Sequence, residues 1–332
     1  MKKGLLLFFT LLTIALVSFN FLNTEKNTED VEDVEDVEDV EENIEDIKDS
    51  IHQKEFNSYF RSYTLTTPDS VGFAEEYTPL YAEDIWERYD KEIHKNVYWQ
   101  SNTLFYFKRA NKYFPIIEPI LEKNNIPNDF KYLAIIESGL ENVVSPAGAT
   151  GFWQFMKGTA KDRGMEVNSE VDERYNLEIS TQAACDYLQD AYDKFGSWTM
   201  AAASYNVGMN GLRKRATEQN SNNYYDLYLP METSRYVFRL LAIKEIFENK
   251  SKYGFVLRNQ DLYKNIETKT VSLSEKNVDL FTYSDSLGIN YKILKQFNPW
   301  LRDKKLTNKS EKTYTIIIPK GHEINIFKVE KN

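Results

Sequence analysis

One short stretch of the sequence places a carboxylate at the end of an apolar helical stripe. Four residues there recur at the spacing of a single helix face: Phe130, Leu133, Ala134 and Glu137. When this face packs on a core, Glu137 loses much of its water, and both desolvation and the negative end of the helix dipole raise its pKa. A general acid that works near neutral pH must hold its proton in this way. The alternative for a lone glutamate is a structural carboxylate satisfied by an arginine or by backbone donors.

The residues around this stripe predict one short helix over residues 127–140. Asn128 and Asp129 follow a proline and are of the types that cap a helix start. Gly139 can end the helix in the left-handed conformation that glycine tolerates best. Glu137 would then lie in the last turn of the helix.

Three further segments combine aromatic rings with hydrogen-bonding side chains: Gly151-Phe152-Trp153-Gln154-Phe155-Met156, Tyr205-Asn206-Val207-Gly208 and Arg235-Tyr236. Considered singly, each has an ordinary explanation. The rings of Trp153, Tyr205 and Tyr236 are typical of a hydrophobic core. The amides of Gln154 and Asn206 are typical of helix caps and turns. These segments and the pair Glu137-Ser138 indicate a function only when they are considered together.

In their order and spacing, Glu137-Ser138 and the three segments resemble the lytic transglycosylases of the soluble and membrane-bound murein type, with the D-type membrane-bound branch closest. The match covers roughly residues 95–250. The resemblance implies a mainly α fold with a lysozyme-like helical catalytic domain. It also implies cleavage of the β-1,4 bond between N-acetylmuramic acid and N-acetylglucosamine in peptidoglycan, which leaves 1,6-anhydro ends. No cofactor and no metal ion are implied.

The resemblance also implies roles for individual residues. Glu137 would be the single catalytic acid and base, and Ser138 would orient the substrate or the carboxylate. Substrate-binding positions are implied at Ser138, Gln154, Tyr205, Asn206 and Tyr236, of which Tyr236 would contact the reaction centre.

The chemistry of one carboxylate agrees with this resemblance. Ordinary glycosidases use two carboxyl groups, whereas only Glu137 lies in a motif here. The N-acetyl oxygen of the sugar can shield the developing positive charge, and the sugar's 6-hydroxyl can then close an anhydro ring. Two alternatives stay open: a goose-type lysozyme-like hydrolase, with Asp162, Asp172 or Glu173 holding the water, and a non-catalytic cell-wall-binding protein.

The charge of the chain is concentrated in one segment. The total is -10 over 332 residues, but residues 25–50 alone carry -12, so the rest carries +2. A nearly neutral body argues against nucleic acid as the partner. The only cysteine, Cys185, excludes an internal disulfide and a cysteine-based zinc site, and it is predicted to be a small buried hydrophobe.

The N-terminal segment is typical of an exported protein. Residues 1–23 combine a basic start with an apolar run, as in a signal peptide or an N-terminal membrane anchor. Residues 29–40 repeat Glu-Asp-Val four times. Residues 24–50 as a whole predict a disordered acidic linker, because like charges repel and the valines bury too little area. We therefore expect a protein of the periplasm or cell envelope, monomeric, which contacts the membrane through residues 1–23 if they are not cleaved.

Residues 51–252 form the predicted helical domain that must position these side chains. Ser101 or Thr103 is predicted to cap one helix, and Pro115 and Pro119 to break the following pattern into short pieces. Further along, the predicted helices are one that opens at Asn176 or Ser180 and stops at Gly196, one over Trp198 to Asn206 capped by Ser197, and one that opens at Glu232.

Residues 265–321 predict a small β-α-α-β module. Strand-forming residues occur at 270–273 and 314–319, on either side of two helix-length stretches. The module resembles a degenerate LysM glycan-binding domain, since the Gly-Asp pair that usually follows the first strand is absent.

Overall fold

The computed structural model describes residues 47–51, 54 and 63–321. The predicted signal or anchor lies outside these residues, as does the acidic run up to residue 46. Residues 47–51, at the end of that run, are helical. In the described part of the chain, no helix has both the length and the apolar character needed to cross a membrane. The chain divides into two compact units, residues 1–63 and 64–332, and the second contains every element described below.

The described part of this second unit is mainly α-helical, as predicted. Its helices before residue 250 are α1 (Glu83–Tyr98), α2 (Gln100–Lys123), α3 (Lys131–Ser138), α4 (Lys157–Asp162), α5 (Leu177–Phe195), α6 (Trp198–Val207), α7 (Met209–Glu218) and α8 (Met231–Glu248). A short hairpin, β1 (Gly72–Phe73) with β2 (Glu76–Tyr77), precedes them. The short helix α3 packs on both α2 and α8, and its residues 132–136 are all buried. The helix that carries Glu137 is therefore held from two sides.

Several predicted helix boundaries are confirmed. Asn176, and not Ser180, caps α5, since its side-chain oxygen accepts a hydrogen bond from the Ile179 amide at 3.1 Å. Gly196 ends that helix with a φ of 67°. Ser197 caps α6 in the same way as Asn176 caps α5. The thiol of Cys185 is buried within the core, as predicted.

The prediction that Pro115 and Pro119 break the helical pattern is wrong, because both lie inside α2. Asn111, Pro115 and Pro119 are four residues apart, and all three are exposed. The carbonyls that lose an amide partner to each proline, those of residues 111 and 115, therefore lie on the side that faces water. Ile117 and Leu121 are fully buried on another side of the helix, so packing holds α2 together.

The predicted cap of this helix is also wrong. α2 begins at Gln100 without a side-chain cap, so neither Ser101 nor Thr103 has that role. Thr103 is buried, and its hydroxyl donates to the Asn96 carbonyl at 2.5 Å. This bond joins α2 to the end of α1.

The helix predicted over 127–140 is divided in two. Residues 128–130 form a 3₁₀ turn, and α3 follows it without a side-chain cap. Asp129, predicted as a cap, instead accepts hydrogen bonds from the Ala74 amide at 2.8 Å and from Lys244 at 2.6 Å. Its carboxylate thus fixes the start of α3 to the β1–β2 hairpin and to α8.

The C-terminal module, residues 265–321, has the predicted order of elements. They are β3 (Thr268–Leu273), β4 (Val278–Asp279), α9 (Leu280–Ser286), α10 (Tyr291–Phe297), β5 (Lys305–Leu306) and β6 (Tyr314–Pro319). β3 and β6 pair antiparallel along their full length, and the short strands β4 and β5 add a second pair. The core of the module includes one buried residue from the preceding helical region, Val171.

Candidate active site

The end of α3 is the point from which Glu137 projects. Gly139 ends the helix in the predicted left-handed conformation, with a φ of 65°. Two guanidinium groups satisfy its last carbonyls: Arg239 donates to Ile136 at 2.6 Å and Arg109 donates to Gly139 at 3.2 Å. Cations at this end of a helix offset its dipole. They therefore reduce, without cancelling, the cost of placing a carboxylate there.

The carboxylate of Glu137 is partly buried and accepts a hydrogen bond from the hydroxyl of Tyr236. Burial raises the pKa of Glu137 to about 7, against the opposing effects of the Tyr236 hydrogen bond and the Arg239 charge. The charge of Glu232 adds to the increase. Glu137 can therefore be protonated near neutral pH, as the sequence predicts.

Two tyrosines share the environment of this carboxylate. Burial raises the pKa of Tyr236 well above its usual value, and the nearby Glu137 charge raises it further. The pKa of Tyr205 is raised by burial first and then by the same Glu137 charge. Both hydroxyls therefore stay protonated and act as hydrogen-bond donors. The structure brings Glu137, Tyr205 and Tyr236 together from α3, α6 and α8.

Ser138 and Tyr205 both bind the loop that connects α3 to α4. The hydroxyl of Ser138 donates to the main-chain oxygen of Phe152 at 2.8 Å, and the hydroxyl of Tyr205 donates to that of Trp153 at 2.8 Å. The indole of Trp153 is fully buried and donates to Thr181. These bonds hold the loop against the end of α3.

Gln154 stabilises the same loop. Its φ of 49° is left-handed, and its side-chain amide donates to the carbonyls of Val143 at 3.0 Å and Gly151 at 2.8 Å. Gly151 itself has a φ of 84°, and a side chain there would overlap the main chain of Arg174. The turn-forming role that the sequence leaves open for Gln154 is therefore present. Its contact with sugar stays a prediction.

Asn206 connects two helices of the site region. Its side-chain oxygen accepts a hydrogen bond from the Thr233 hydroxyl at 2.8 Å, which joins the end of α6 to the start of α8. Asn206 thus helps to fix α8, the helix that carries Tyr236, at the site.

Sequence reasoning missed Arg239, Glu232 and Thr233, all on α8. Glu232 and Arg239 lie four residues before and three residues after Tyr236, which places them on the same helix face. That spacing is a signal the sequence does contain. The bond from Thr233 to Asn206 has no comparable signal, because it depends on how α6 and α8 pack.

The three carboxylates considered for a water-holding role differ in their surroundings. Asp172 is paired with Arg174 at 2.7 Å, and Glu173 is paired with Lys312 at 2.8 Å. Asp162 is exposed at the end of α4. Glu232, which is exposed, is a further carboxylate whose charge acts on Glu137. It is therefore the residue to test for a second acidic role.

No metal-binding group was found in the described residues. Within residues 63–321 and the short stretch before them, no three histidine, cysteine, aspartate or glutamate side chains are arranged to hold an ion. A cavity of about 810 Å³ lies between the β1–β2 hairpin, residues 125–129 and Trp198. It contains none of the predicted site residues. Of the three carboxylates in its lining, Glu76 and Asp129 are hydrogen-bonded to the protein and Glu75 is exposed.

Two domain families match this chain. Residues 114–228 match the transglycosylase SLT domain, and residues 269–322 match the soluble lytic transglycosylase C-terminal LysM-like domain. The first range contains Glu137 and the second and third motifs, and Tyr236 lies just beyond it. Both matches confirm the resemblance that the motifs and the C-terminal strands predict.

The chain is also similar to curated relatives and to solved structures. Membrane-bound lytic murein transglycosylase D of Escherichia coli K12 is 30% identical over 244 residues, which cover 72% of this chain and 52% of that protein. The chain thus spans about half the length of this relative. The 70 kDa soluble lytic transglycosylase of Escherichia coli has a TM-score of 0.35 at 24% identity, over 42% of this chain and 25% of that one. The lytic transglycosylase Slt of Pseudomonas aeruginosa also has a TM-score of 0.35, at 18% identity, over 46% of this chain and 26% of that one.

Proposed function

We propose that this chain, which carries a transglycosylase SLT domain and a C-terminal LysM-like domain, is a peptidoglycan lytic transglycosylase with Glu137 as its single acid and base. The observation that carries the proposal is the state of Glu137. Burial raises its pKa to about 7 while the Tyr236 hydroxyl holds the carboxyl group in place. A protein that only binds the cell wall has no need of such an acid.

The proposed reaction begins with protonated Glu137. It gives its proton to the glycosidic oxygen between N-acetylmuramic acid and N-acetylglucosamine, so that the bond from C1 to that oxygen breaks. The acetamido oxygen of the muramic acid stabilises the positive charge at C1. The ionised Glu137 then takes the proton of the 6-hydroxyl, whose oxygen bonds to C1 and closes the anhydro ring. Atoms balance without water, and Glu137 regains its proton.

Exposed apolar residues that flank the site residues in the sequence support a glycan strand as the substrate. Val144 and Met156 are exposed on either side of the loop that carries Gln154, and Tyr228 and Met231 are exposed just before Glu232. Large exposed apolar side chains near a polar site are typical of a binding groove. Rings and methyl groups of this kind can pack on the apolar faces of sugars.

A hydrolase is the second candidate, and Glu232 is the observation in its favour. This exposed carboxylate lies on the same face of α8 as Tyr236, and its charge acts on Glu137. A water molecule held by Glu232 could attack C1 in place of the 6-hydroxyl. We favour the transglycosylase because Asp172 and Glu173 are occupied by cationic partners and the tyrosines beside Glu137 limit access for water.

We place the protein in the cell envelope. The basic and apolar residues 1–23 support export, and the similar protein of Escherichia coli K12 is described as membrane-bound. Whether residues 1–23 remain attached can be measured as the mass of the mature protein.

The experiment that tests the function is digestion of purified peptidoglycan followed by mass analysis of the released sugars. Anhydro products, lighter than hydrolytic products by one water, support the transglycosylase. Reducing-end muramic acid as the main product supports the hydrolase. No release by the folded wild-type protein, with binding retained, supports the non-catalytic alternative.

A further inference from the structure

The C-terminal module contacts the helical region at one hairpin of that region, residues 166–175, called here the connecting hairpin. Val171 pairs with Leu301 as an antiparallel bridge and lies almost fully buried in the core of the module. Main-chain hydrogen bonds flank this bridge, from Arg302 to Glu170 at 2.7 Å and from Asp172 to Trp300 at 2.9 Å. The hairpin thus adds both an edge and a core residue to the module.

Side chains strengthen the same contact. The carboxylate of Glu170 accepts hydrogen bonds from the amide and the hydroxyl of Thr307, at 2.6 Å and 2.5 Å. Lys312 of the module pairs with Glu173 at 2.8 Å and with Glu166 at 3.1 Å. Each of these contacts orders side chains at a cost in entropy, so together they favour a module that is held in place over one that moves freely on a tether.

The other side of the connecting hairpin holds the loop of the candidate active site. The guanidinium of Arg174 is buried and forms a two-pronged pair with Asp172, at 2.9 Å and 2.7 Å. It also donates to the carbonyls of Gly148 and Phe155, both at 3.1 Å. One side chain therefore fixes both ends of residues 148–155.

Residues 148–155 carry the carbonyl groups that hold the site together. Ser138 binds the carbonyl of Phe152, and Tyr205 binds that of Trp153. A continuous series of contacts thus runs from Thr307 and Lys312 in the module, through the connecting hairpin, to the loop beside Glu137.

We propose that the C-terminal module acts as a brace for the active-site loop, and that Arg174 is the positioning residue that transmits its support. The proposal rests on the proposed function for its effect on turnover. Its effect on the loop does not depend on that function. Misplacement of a reacting group by about 1 Å can cost about a hundredfold in rate, so a loosened loop lowers turnover even when the fold is intact.

The test uses the full chain with two test variants and two control variants. Arg174→Lys keeps the charge and loses the two-pronged pair. A double variant, Thr307→Val with Lys312→Met, changes only the module. The matched control is Thr282→Val with Lys276→Met. It makes the same two kinds of substitution in the module, but Thr282 binds Asp279 and Lys276 pairs with Glu311, so neither bond involves the connecting hairpin. A second control, Arg258→Lys, alters a similar arginine pair with Asp261.

Hydrogen exchange and kinetics are then measured on each variant. We expect faster amide exchange in residues 148–155 for Arg174→Lys and for the Thr307 and Lys312 double variant, at a melting temperature close to wild type. We also expect kcat on solubilised glycan strands to fall about tenfold to a hundredfold, with a smaller change in KM. Both controls should match the wild type in each measurement.

The proposal is overturned if the double variant loosens residues 300–307 while exchange in residues 148–155 stays as in the control. Should Arg174→Lys not fold, the double variant still decides the question. Should the wild type release no product, the proposed function fails, and the exchange measurement still tests the brace.

Discussion

The hydroxyl of Tyr236 donates a hydrogen bond to the carboxylate of Glu137 across the contact between α8 and α3. This bond favours the ionised carboxylate, whereas burial favours the protonated one, and burial has the larger effect. The result is an acid with a pKa of about 7, which can both lose and recover a proton at neutral pH. A glutamate that must act in both steps of one reaction needs this balance.

The first prediction concerns the pH dependence of cleavage. Glu137 must be protonated to start the reaction, so the rate should be sustained below pH 7 and fall as the pH rises through about 7. Initial rates of release from purified peptidoglycan, measured from about pH 5 to about pH 9, give this profile. A rate that increases steadily through this range would contradict an acid role for Glu137.

The second prediction concerns the variant Glu137→Gln. The amide keeps the shape and can still accept the Tyr236 hydrogen bond, but it has no proton to give. We expect the fold to be retained and cleavage to fall by about a hundredfold to ten-thousandfold or more, since one group serves both steps. Circular dichroism checks the fold, and Glu118→Gln, which alters an ion pair made with the first turn of α3, serves as the control. Turnover near that of the wild type would exclude Glu137 as the catalytic acid.

The third prediction concerns stability. The pKa of Glu137 is raised from 4.5 to about 7 on folding, so between these values the folded protein binds more protons than the unfolded one. The free energy of unfolding therefore falls as pH rises from 4.5, and the full loss, on the order of 3 kcal/mol, is present above 7. Glu137→Gln lacks this ionisation and should be more stable than the wild type at pH 8, but not at pH 4. Denaturant unfolding at both pH values measures the difference.

Some features of the site could be predicted from the sequence and others could not. The register of Glu137 with Phe130 and Leu133 is local, so the helix face and the raised pKa could be predicted. The main-chain partners of Ser138 and Gln154 could not, because they depend on how the loop between α3 and α4 folds back. Serine, tyrosine and glutamine in these motifs indicate a site without revealing which carbonyl each side chain binds.

The errors have the same origin. The sequence predicts that Pro115 and Pro119 break the helical pattern into short pieces, because each removes a hydrogen bond. The packing of Ile117 and Leu121 outweighs that loss, since the unpaired carbonyls lie on the water-facing side of α2. Asp129 is of a residue type that caps helices, but its carboxylate instead forms an ion pair with Lys244, on a helix that is distant in the sequence. Local propensity failed where tertiary contacts compete with it.

The fourth prediction concerns Tyr236→Phe. The substitution removes the donor that lowers the pKa of Glu137, so the fall in activity should move to a pH above that of the wild type. At pH values below this fall, the rate should also be lower than that of the wild type, by about tenfold to a hundredfold, because the carboxyl group is no longer oriented. Tyr253→Phe, which removes a hydroxyl bound to a different glutamate, Glu245, at 2.8 Å, should leave the profile in place. A fall in activity that moves to lower pH would contradict the role of Tyr236 in lowering the pKa of Glu137.

The last prediction separates the transglycosylase from the hydrolase. If the 6-hydroxyl of the muramic acid attacks C1, the exposed carboxylate of Glu232 takes no part in the bond changes. Glu232→Gln should then still release anhydro products. Because the charge of Glu232 raises the pKa of Glu137, its loss should move the fall in activity to slightly lower pH.

If Glu232 instead holds an attacking water, wild-type products should carry a reducing end, and Glu232→Gln should lose most of that activity. Mass analysis of products from the wild type, Glu137→Gln and Glu232→Gln distinguishes the two reactions. Both reactions require Glu137, so Glu137→Gln should be inactive in either case. This variant tests the acid role of Glu137 but does not distinguish the two reactions. The decisive comparison is therefore between wild type and Glu232→Gln: anhydro products from both support a reaction in which a single buried carboxylic acid, and no water, completes the cleavage.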